Sequence, residues 1–309
     1  MRRVLVPLDG SQLSEAILPD ARRLAGDDGE LILVREAVWP SIAQDMVTIS
    51  ATPLHEQIDS YLQSEAEKIQ DTGVTVDAHT LVLADAASAI DEAVKIFKAD
   101  MIAIATHGRR PLGRLLRGGV AWKALAHSPV PVLLRHIEQG AAPTSENVRR
   151  RIMVPLDGSA FAEKALPLAR ELAREWDASV WLVQVVPEVR VVEAPYASVP
   201  PVSVVDESAV RDVQEYLDGL AATFECPTHT IAGYGLIIDR LLHYAEHFSI
   251  TDIVMASHGR TGLTRMILGS VADELIHRLH QPIIVVPALA PVRVDQPQRK
   301  PEATAATPS

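Results

Sequence analysis

Two short segments of this chain place groups suited to binding polar ligands directly after apolar runs. The sequence Asp-Gly-Ser at 157–159 follows RIMVPL (151–156), and the same three residues at 9–11 follow VLVPL (4–8). A carboxylate at such a point can accept hydrogen bonds from a ribose or a base, or hold a metal ion beside phosphates. It can equally close a strand-to-helix turn and cap the helix. The motif alone leaves both roles open.

A glycine-containing segment follows another apolar run. In ASHG (256–259) the final glycine is followed by nine residues and then by Gly269 and Ser270. Glycines let backbone N–H groups approach a phosphate closely, and a helix that starts at a Gly-Ser pair adds N–H donors, a hydroxyl and the positive end of its dipole. The pattern predicts an anion site. Ser270 could also be a plain N-cap with Asp273 as its capping-box partner.

Basic residues accumulate beside the matching segment of the N-terminal half. Residues 105–127 contain five cations and no carboxylate, which suits a polyphosphate, and equally a solvated helix face or a partner surface. His107 and His258 precede the loop glycines with no partnered nucleophile, which favours a structural role. HExxH, GxSxG and GxxxxGK[ST] do not occur, which disfavours an efficient hydrolase or kinase. The cations are Arg109, Arg110, Arg114, Arg117 and Lys123, with Arg260 and Arg265 in the second half.

These segments occur twice because the chain is a tandem duplication. Residues 2–25 align without a gap to 150–173, with 15 of 24 positions identical, and 105–121 align to 256–272. A period near 150 corresponds to whole domains rather than to solenoid units. The predicted organisation is a first domain at 1–136, a polar linker at 137–149, a second domain at 150–288 and a disordered tail at 289–309.

Short apolar runs alternate with helical patterns in both halves. Strands that are apolar on both faces and separated by helices imply a parallel sheet covered by helices on both sides. We therefore predict an α/β fold of two tandem, doubly wound, Rossmann-like domains, each with five strands in the order 3-2-1-4-5. Ligands bind such sheets at the carboxyl ends of strands 1 and 4, where the two segments fall. The predicted strands are 4–8, 31–38, 74–83, 101–105, 130–134, 151–156, 180–186, 227–233, 252–257 and 282–287, and the predicted helices are 13–26, 55–71, 86–98, 118–127, 160–175, 204–222, 236–248 and 270–280.

Composition excludes several classes of protein. The formal net charge of -11 argues against a general nucleic-acid binder, whose binding domain is basic. The single cysteine, Cys226, excludes an intramolecular disulfide and a cysteine-based metal cluster, and it fits a reducing cytoplasm. No run approaches the roughly 18 apolar residues of a membrane span, and no signal-peptide core precedes Asp9. We expect a cytoplasmic protein that binds neither membranes nor nucleic acids.

At these residues the chain resembles a tandem-type universal stress protein, with two copies of the family domain covering all but the linker and the tail. The family's nucleotide-binding signature is glycine, two residues, glycine, nine residues, and glycine followed by serine or threonine, with an aspartate after strand 1. The second copy matches it with Ala256, Gly259, Gly269, Ser270 and Asp157, so one glycine is replaced by alanine. The first copy has Ala105, Gly108, Gly118, Gly119 and Asp9, and so also loses the hydroxyl.

The resemblance implies that the second copy binds ATP, alone or with Mg²⁺. Val185 matches the family's adenine contact, whereas the first copy has Glu36 there, a carboxylate that costs affinity unless it is paired, with Arg35 as the candidate partner. The first copy is therefore expected to bind weakly or not at all. The implied site residues are Pro155, Asp157, Val185, Met255, Ala256, Gly259, Arg260, Gly269, Ser270 and Val271 in the second copy, and Pro7, Asp9, Ala105, Gly108, Gly118 and Gly119 in the first.

The resemblance also implies slow or no ATP hydrolysis and a nucleotide that tunes association or partner choice during stress. It implies that the two domains pair through their fifth strands, whose apolar edges would otherwise be exposed, and that such units can form homodimers. Two other functions stay open: a nucleotide-free interaction scaffold, and an adenylating enzyme, for which no activating group is found. Residues 39–54 and 187–203 are interpreted as long loops that could close over a ligand.

Overall fold

The computed structural model describes most of both repeats. The described residues are 1–36, 52–70, 73–81, 86–106, 124–125, 128–137, 148–191, 202–204, 206–257 and 269–287. The tail, most of the linker, most of the predicted helix 118–127 and residues 39–51 of the first predicted loop lie outside them. The first copy comprises residues 1–136 and the second copy residues 150–288.

Ten of the described strands form one sheet, to which each copy contributes five. The first copy contributes β1 (Arg3–Pro7), β2 (Glu30–Glu36), β3 (Thr75–Leu81), β4 (Met101–Thr106) and β5 (Val132–His136). The second contributes β6 (Arg151–Leu156), β7 (Ser179–Pro187), β10 (Thr228–Gly235), β11 (Asp252–Ala256) and β12 (Ile283–Val286), while β8 (Val189–Val191) and β9 (Val202–Val204) form a separate antiparallel pair.

The strand order within each copy confirms the predicted fold class. The sheet runs β10-β7-β6-β11-β12-β5-β4-β1-β2-β3, which is the order 3-2-1-4-5 in both copies. Strands within a copy are parallel, and β5 pairs antiparallel with β12, with Leu133 opposite Ile284. The two copies thus join through their fifth strands. Because the join is antiparallel, the carboxyl ends of the strands point to opposite edges of the sheet in the two copies.

Helices connect the strands close to the predicted positions, with one difference shared by both copies. The pattern predicts single helices at 13–26 and 160–175, but each is broken. Pro19 and Pro167 lie in the first turn of a new helix, where a residue without an N–H is tolerated. The helices are α1 (Gln12–Glu15), α2 (Leu18–Ala25), α3 (Thr52–Gln70), α4 (Ala86–Ile96), α5 (Leu166–Glu175, preceded by a 3₁₀ turn at Ala162–Ala165), α6 (Glu207–Ala221), α7 (Ile237–His247) and α8 (Ser270–Arg278).

The core lies on both faces of the sheet and continues across the join. One face packs α2 and α3 of the first copy and α5 and α6 of the second against alternate strand residues such as Val6 and Val154. The other face packs α4, α7 and α8 against residues such as Leu5 and Met153. Strand side chains alternate between faces, so an apolar residue at every position requires helices on both sides.

A buried ion network crosses between the copies. Asp20, on α2, accepts hydrogen bonds from Arg23 (2.9 Å) and Arg135 (2.6 Å), and Arg23 also donates to Asp252 at the start of β11 (2.8 Å). Arg150 lies 3.6 Å from the other Asp252 oxygen. Both carboxylates are buried. Buried charges persist only where opposite charges and hydrogen bonds compensate their lost hydration, so the charged side chains of this network depend on partners from both copies.

Part of the second predicted loop forms a pair of strands. The sequence predicts a loop over 187–203, but β8 and β9 pair within that range, with Arg190 opposite Ser203. β8 follows β7 directly and β9 precedes α6, so this hairpin leaves the sheet at the carboxyl end of β7. Among the described helices, none combines the length and apolarity that crossing a lipid bilayer requires.

Candidate functional site

A cavity of about 520 Å³ opens at the carboxyl ends of β6, β7 and β11 in the second copy. Its volume falls within the range of small-molecule and cofactor sites, and it lies at the topological switch point. The turn after β6 and the starts of α7 and α8 complete its walls. The lining residues are Pro155, Leu156, Asp157, Ala162, Gln184, Val185, Val186, Pro187, Ala209, Val213, Ile237, Leu241, Met255, Ala256, Ser257, Gly269, Ser270, Val271 and Ala272.

Eight of the ten predicted site residues of the second copy line this single cavity, although the first and the last of them are more than 100 positions apart in the sequence. The other two, Gly259 and Arg260, lie outside the described residues. So do His258 and Arg265. The eight are Pro155, Asp157, Val185, Met255, Ala256, Gly269, Ser270 and Val271.

The turn after β6 confirms the structural role of Asp-Gly-Ser. One Asp157 oxygen accepts hydrogen bonds from the Ser159 backbone N–H (3.0 Å) and hydroxyl (2.6 Å), and Gly158 takes a φ of 78° that glycine tolerates best. Ser11 and Asp9 make the corresponding backbone bond in the first copy (2.8 Å). The turn directs Asp157 to the cavity wall, so both roles proposed for this carboxylate are compatible in one geometry.

The amino terminus of α8 forms the opposite wall. The Gly269 N–H donates to the Ser257 carbonyl at 2.9 Å, which brings the chain back to the end of β11. Gly269 occupies the N-cap position and no described side chain caps the helix, so Ser270 as the N-cap was wrong. Because a helix start has N–H groups without intrahelical partners, this wall presents hydrogen-bond donors and a positive partial charge.

The apolar side chains at the β7 end of the cavity and Gln184 were missed from the sequence. Val213 on α6 and Ile237 and Leu241 on α7 come from helices whose contribution depends on tertiary packing. Gln184 could have been noticed in the sequence, because it has the only side-chain amide in the apolar strand VWLVQVV. It is 5% exposed, and within the part of the chain that the structure describes its Oε1 has no hydrogen-bond partner.

In the first copy, different residues occupy the positions that correspond to Gln184 and Val185. Pairing of Pro7 with Val34, and of Pro155 with Val183, makes Arg35 the counterpart of Gln184 and Glu36 the counterpart of Val185. The Arg35 guanidinium lies 4.9 Å from the centre of the Tyr61 ring and packs on Gly10, where an added Cβ would be 2.6 Å from Nη1.

Of the predicted residues of the first copy, Pro7, Asp9 and Ala105 lie at the carboxyl ends of β1 and β4. The others lie outside the described residues, as do His107, the five cations and the Glu36 side chain. The undescribed site residues are Gly108, Gly118 and Gly119.

A tyrosine–glutamate pair joins two helical segments in each copy. The Tyr216 hydroxyl donates to Glu163 and the Tyr61 hydroxyl to Glu15, both at 2.9 Å. Burial, and then the hydrogen bond to the carboxylate, raises the pKa of both tyrosines. Each tyrosine therefore remains a hydrogen-bond donor; Tyr216 ties α6 to the 3₁₀ turn at Ala162–Ala165, and Tyr61 ties α3 to α1.

Comparisons with known proteins agree with the duplicated architecture. The family model described as the universal stress protein family matches twice, over residues 1–136 and 149–287. A universal stress protein of Methanocaldococcus jannaschii is 31% identical over 46% of this chain and 84% of its own length. One from Mycolicibacterium smegmatis is 25% identical over 92% of this chain and 96% of its own length.

Solved structures show the same fold over nearly the whole chain. The crystal structure of a universal stress protein from Archaeoglobus fulgidus has a TM-score of 0.67 and 20% identity, covering 93% of this chain and 98% of that one. The paired matches to the family model and the two copies of the 3-2-1-4-5 sheet agree. The chain therefore belongs to the universal stress protein family and carries two of its domains in tandem.

Proposed function

We propose that the second copy binds ATP and that the protein is a nucleotide-dependent regulator of the stress response without rapid catalysis. The observation that carries this proposal is the gathering of eight predicted site residues around one cavity of about 520 Å³. Mg²⁺ can accompany the phosphates. The bound nucleotide would alter association with a protein partner or with a second copy of the chain, in the cytoplasm.

The cavity has two chemically different ends, which suit the two ends of a nucleotide. At β7 the wall is apolar, with Val185, Ile237 and Leu241, and can accept the face of a base. β11 is two strands away, roughly 10 Å at the usual strand spacing, and leads to Gly269 and the start of α8. The N–H groups there suit phosphates. Asp157 lies between, where it can accept hydrogen bonds from ribose hydroxyls.

The lining supports binding rather than catalysis. Among the described lining residues, Asp157 is the single ionisable side chain, and the Ser159 hydroxyl donates to it at 2.6 Å. Rapid hydrolysis needs a positioned base for water or an activated nucleophile. The described part of the cavity offers no such pair, so we expect at most slow ATP hydrolysis.

We expect about one ATP per chain, because Arg35 occupies the first copy where the second has Gln184. The measurement is denaturation of freshly purified protein, followed by ion-pair chromatography of the released nucleotide. About two ATP per chain would contradict the expectation that the first copy binds nucleotide weakly or not at all. No nucleotide, and no binding when ATP and magnesium are titrated back, would contradict the proposed function and favour a nucleotide-free scaffold.

A further inference from the structure

Two histidines on the exposed side of α7 lie one helical turn apart. His243 and His247 begin and end the segment HYAEH (243–247), and both residues are exposed. Residues four apart on a helix lie on the same face. The centres of the two imidazole rings are 5.6 Å apart, and the ring planes are inclined by only 22°. The helix therefore presents two imidazoles side by side to solvent.

Aromatic contacts hold the two rings and leave their nitrogens available. His243 packs against Tyr244, with ring centres 5.7 Å apart, and the His247 ring meets Phe248 edge-on at 4.7 Å. Among the described residues, no hydrogen bond or ion pair engages a nitrogen of either imidazole. His277 on α8 differs, because its Nδ1 lies 2.6 Å from the carbonyl oxygen of a residue on its own helix. The α7 imidazoles are thus free to bind a ligand.

The separation of the two rings matches that of imidazoles that share a metal ion. With Zn–N bonds of about 2.1 Å and a tetrahedral angle, two coordinating rings have centres about 5.3 Å apart. The observed 5.6 Å between His243 and His247 is close to this value. Rotation about the Cβ–Cγ bond of histidine has a broad minimum, so one nitrogen of each ring can turn towards a common point. Two histidines four residues apart on one helix face are also the spacing with which helices bind zinc in metalloproteases.

The charges around the pair suit a cation. Glu246 follows three residues after His243 and directly precedes His247, so its carboxylate adds negative charge on the same side of the helix. Arg240 lies one turn before His243, but its Nε donates to the Tyr234 carbonyl at 2.8 Å, which holds the guanidinium at the end of β10. Imidazole nitrogens favour zinc, copper and nickel ions, whereas magnesium and calcium ions favour oxygen ligands.

We propose that His243 and His247 form a surface binding site for a divalent transition-metal ion such as Zn²⁺. In the described parts of the chain, no group of three or more histidine, cysteine or acidic side chains is placed to hold a metal ion. The site therefore takes two ligands from α7, and water occupies the remaining coordination positions. It is separate from the proposed ATP site and does not depend on it.

The test is a Zn²⁺ titration of the untagged full chain in competition with a chromophoric chelator. The protein is first freed of nucleotide, because phosphates also bind Zn²⁺. His243→Ala and His247→Ala should each weaken Zn²⁺ binding by at least about 10-fold, since changes behind a metal ligand already cost about 10–100-fold. Alanine is the best helix former, so both exposed substitutions should preserve α7. Millimolar Mg²⁺ should not displace the bound Zn²⁺.

A second close histidine pair provides the matched control. The ring centres of His136 on β5 and His280, between α8 and β12, are 5.8 Å apart. His280→Ala separates this pair and should bind Zn²⁺ like the parent chain. Weaker binding in His280→Ala, with none of the expected loss in His243→Ala, would assign the ion to the join between the copies and overturn the inference. Displacement of Zn²⁺ by Mg²⁺, or a parent chain that does not compete with the chelator, would overturn it as well.

Discussion

Replacing Gly269 by glutamate should reduce the affinity of the second copy for ATP by at least about 100-fold, because a like charge placed against a phosphate costs several kcal/mol. Gly269 is the N-cap of α8 and lines the end of the cavity assigned to phosphates. Nucleotide released from the purified Gly269→Glu protein should fall from about one per chain to roughly a tenth of that or less, as measured by ion-pair chromatography after denaturation.

The substitution should leave the fold intact. Gly269 has φ −60° and ψ 147°, a conformation open to any L-residue, so its glycine is not required by the backbone. A carboxylate at a helix N-terminus is also electrostatically favourable. Gly219→Glu is the control with the same change in charge, since nothing lies within 4 Å of a Cβ added at this exposed position on α6. It should bind ATP like the parent chain.

The strand-1 aspartate offers a paired test of the same site. Asp157→Ala should also abolish ATP retention, because the carboxylate lies between the two ends of the cavity. Asp9→Ala removes the equivalent turn aspartate of the first copy, where we expect no bound nucleotide, so its ATP content should be unchanged. ATP retained in both Gly269→Glu and Asp157→Ala would show that the site has been assigned wrongly.

The second large effect concerns the join between the copies. Asp252→Ala should lower the free energy of unfolding by about 3–5 kcal/mol, the usual cost of removing one partner from a buried ion pair. Its carboxylate is fully buried between Arg23 of the first copy, at 2.8 Å, and Arg150, at 3.6 Å. Without it, the buried Arg150 guanidinium loses this carboxylate, and the partly exposed Arg23 guanidinium is left with Asp20. Urea denaturation followed by circular dichroism measures the change.

An exposed ion pair provides the control for this comparison. Asp239 lies 3.4 Å from Arg278, and both side chains are about half exposed. Such surface pairs contribute about 0–1 kcal/mol, so Asp239→Ala should unfold close to the parent midpoint. If Asp252→Ala is no less stable than Asp239→Ala, the network does not hold the copies together.

The fold class follows from short-range information in the sequence. Runs such as VLVPL and PIIVVP are apolar at every position, which requires burial on both faces and hence helices on both sides of the sheet. The internal repeat then applies one topology to both halves. The broken helices were missed because the apolar spacing continues across Pro19 and Pro167, whereas a missing N–H interrupts the hydrogen bonding of the backbone.

The sequence predicted those site residues that belong to motifs at the ends of strands. Asp157 and Gly269 follow strand ends in the sequence, and the topology brings all such ends to one edge of a copy. Val213, Ile237 and Leu241 could not be found in this way, because a helix contributes to a cavity only through the angle at which it packs. Gln184 was visible as a side-chain amide in an apolar strand, but its place in the lining of the cavity depends on the tertiary structure.

By itself, the sequence determined that this protein is a duplication of one α/β domain and that each copy has its candidate ligand-binding groups after strands 1 and 4. Only the tertiary structure decided that β5 and β12 join antiparallel, which puts the two candidate sites at opposite edges of one sheet. It also decided that Arg35 packs on Gly10 in the first copy, whereas Gln184 in the second copy lines a cavity. Strand identity is encoded locally by apolar runs, whereas sheet joining and side-chain direction depend on contacts between residues far apart in the chain.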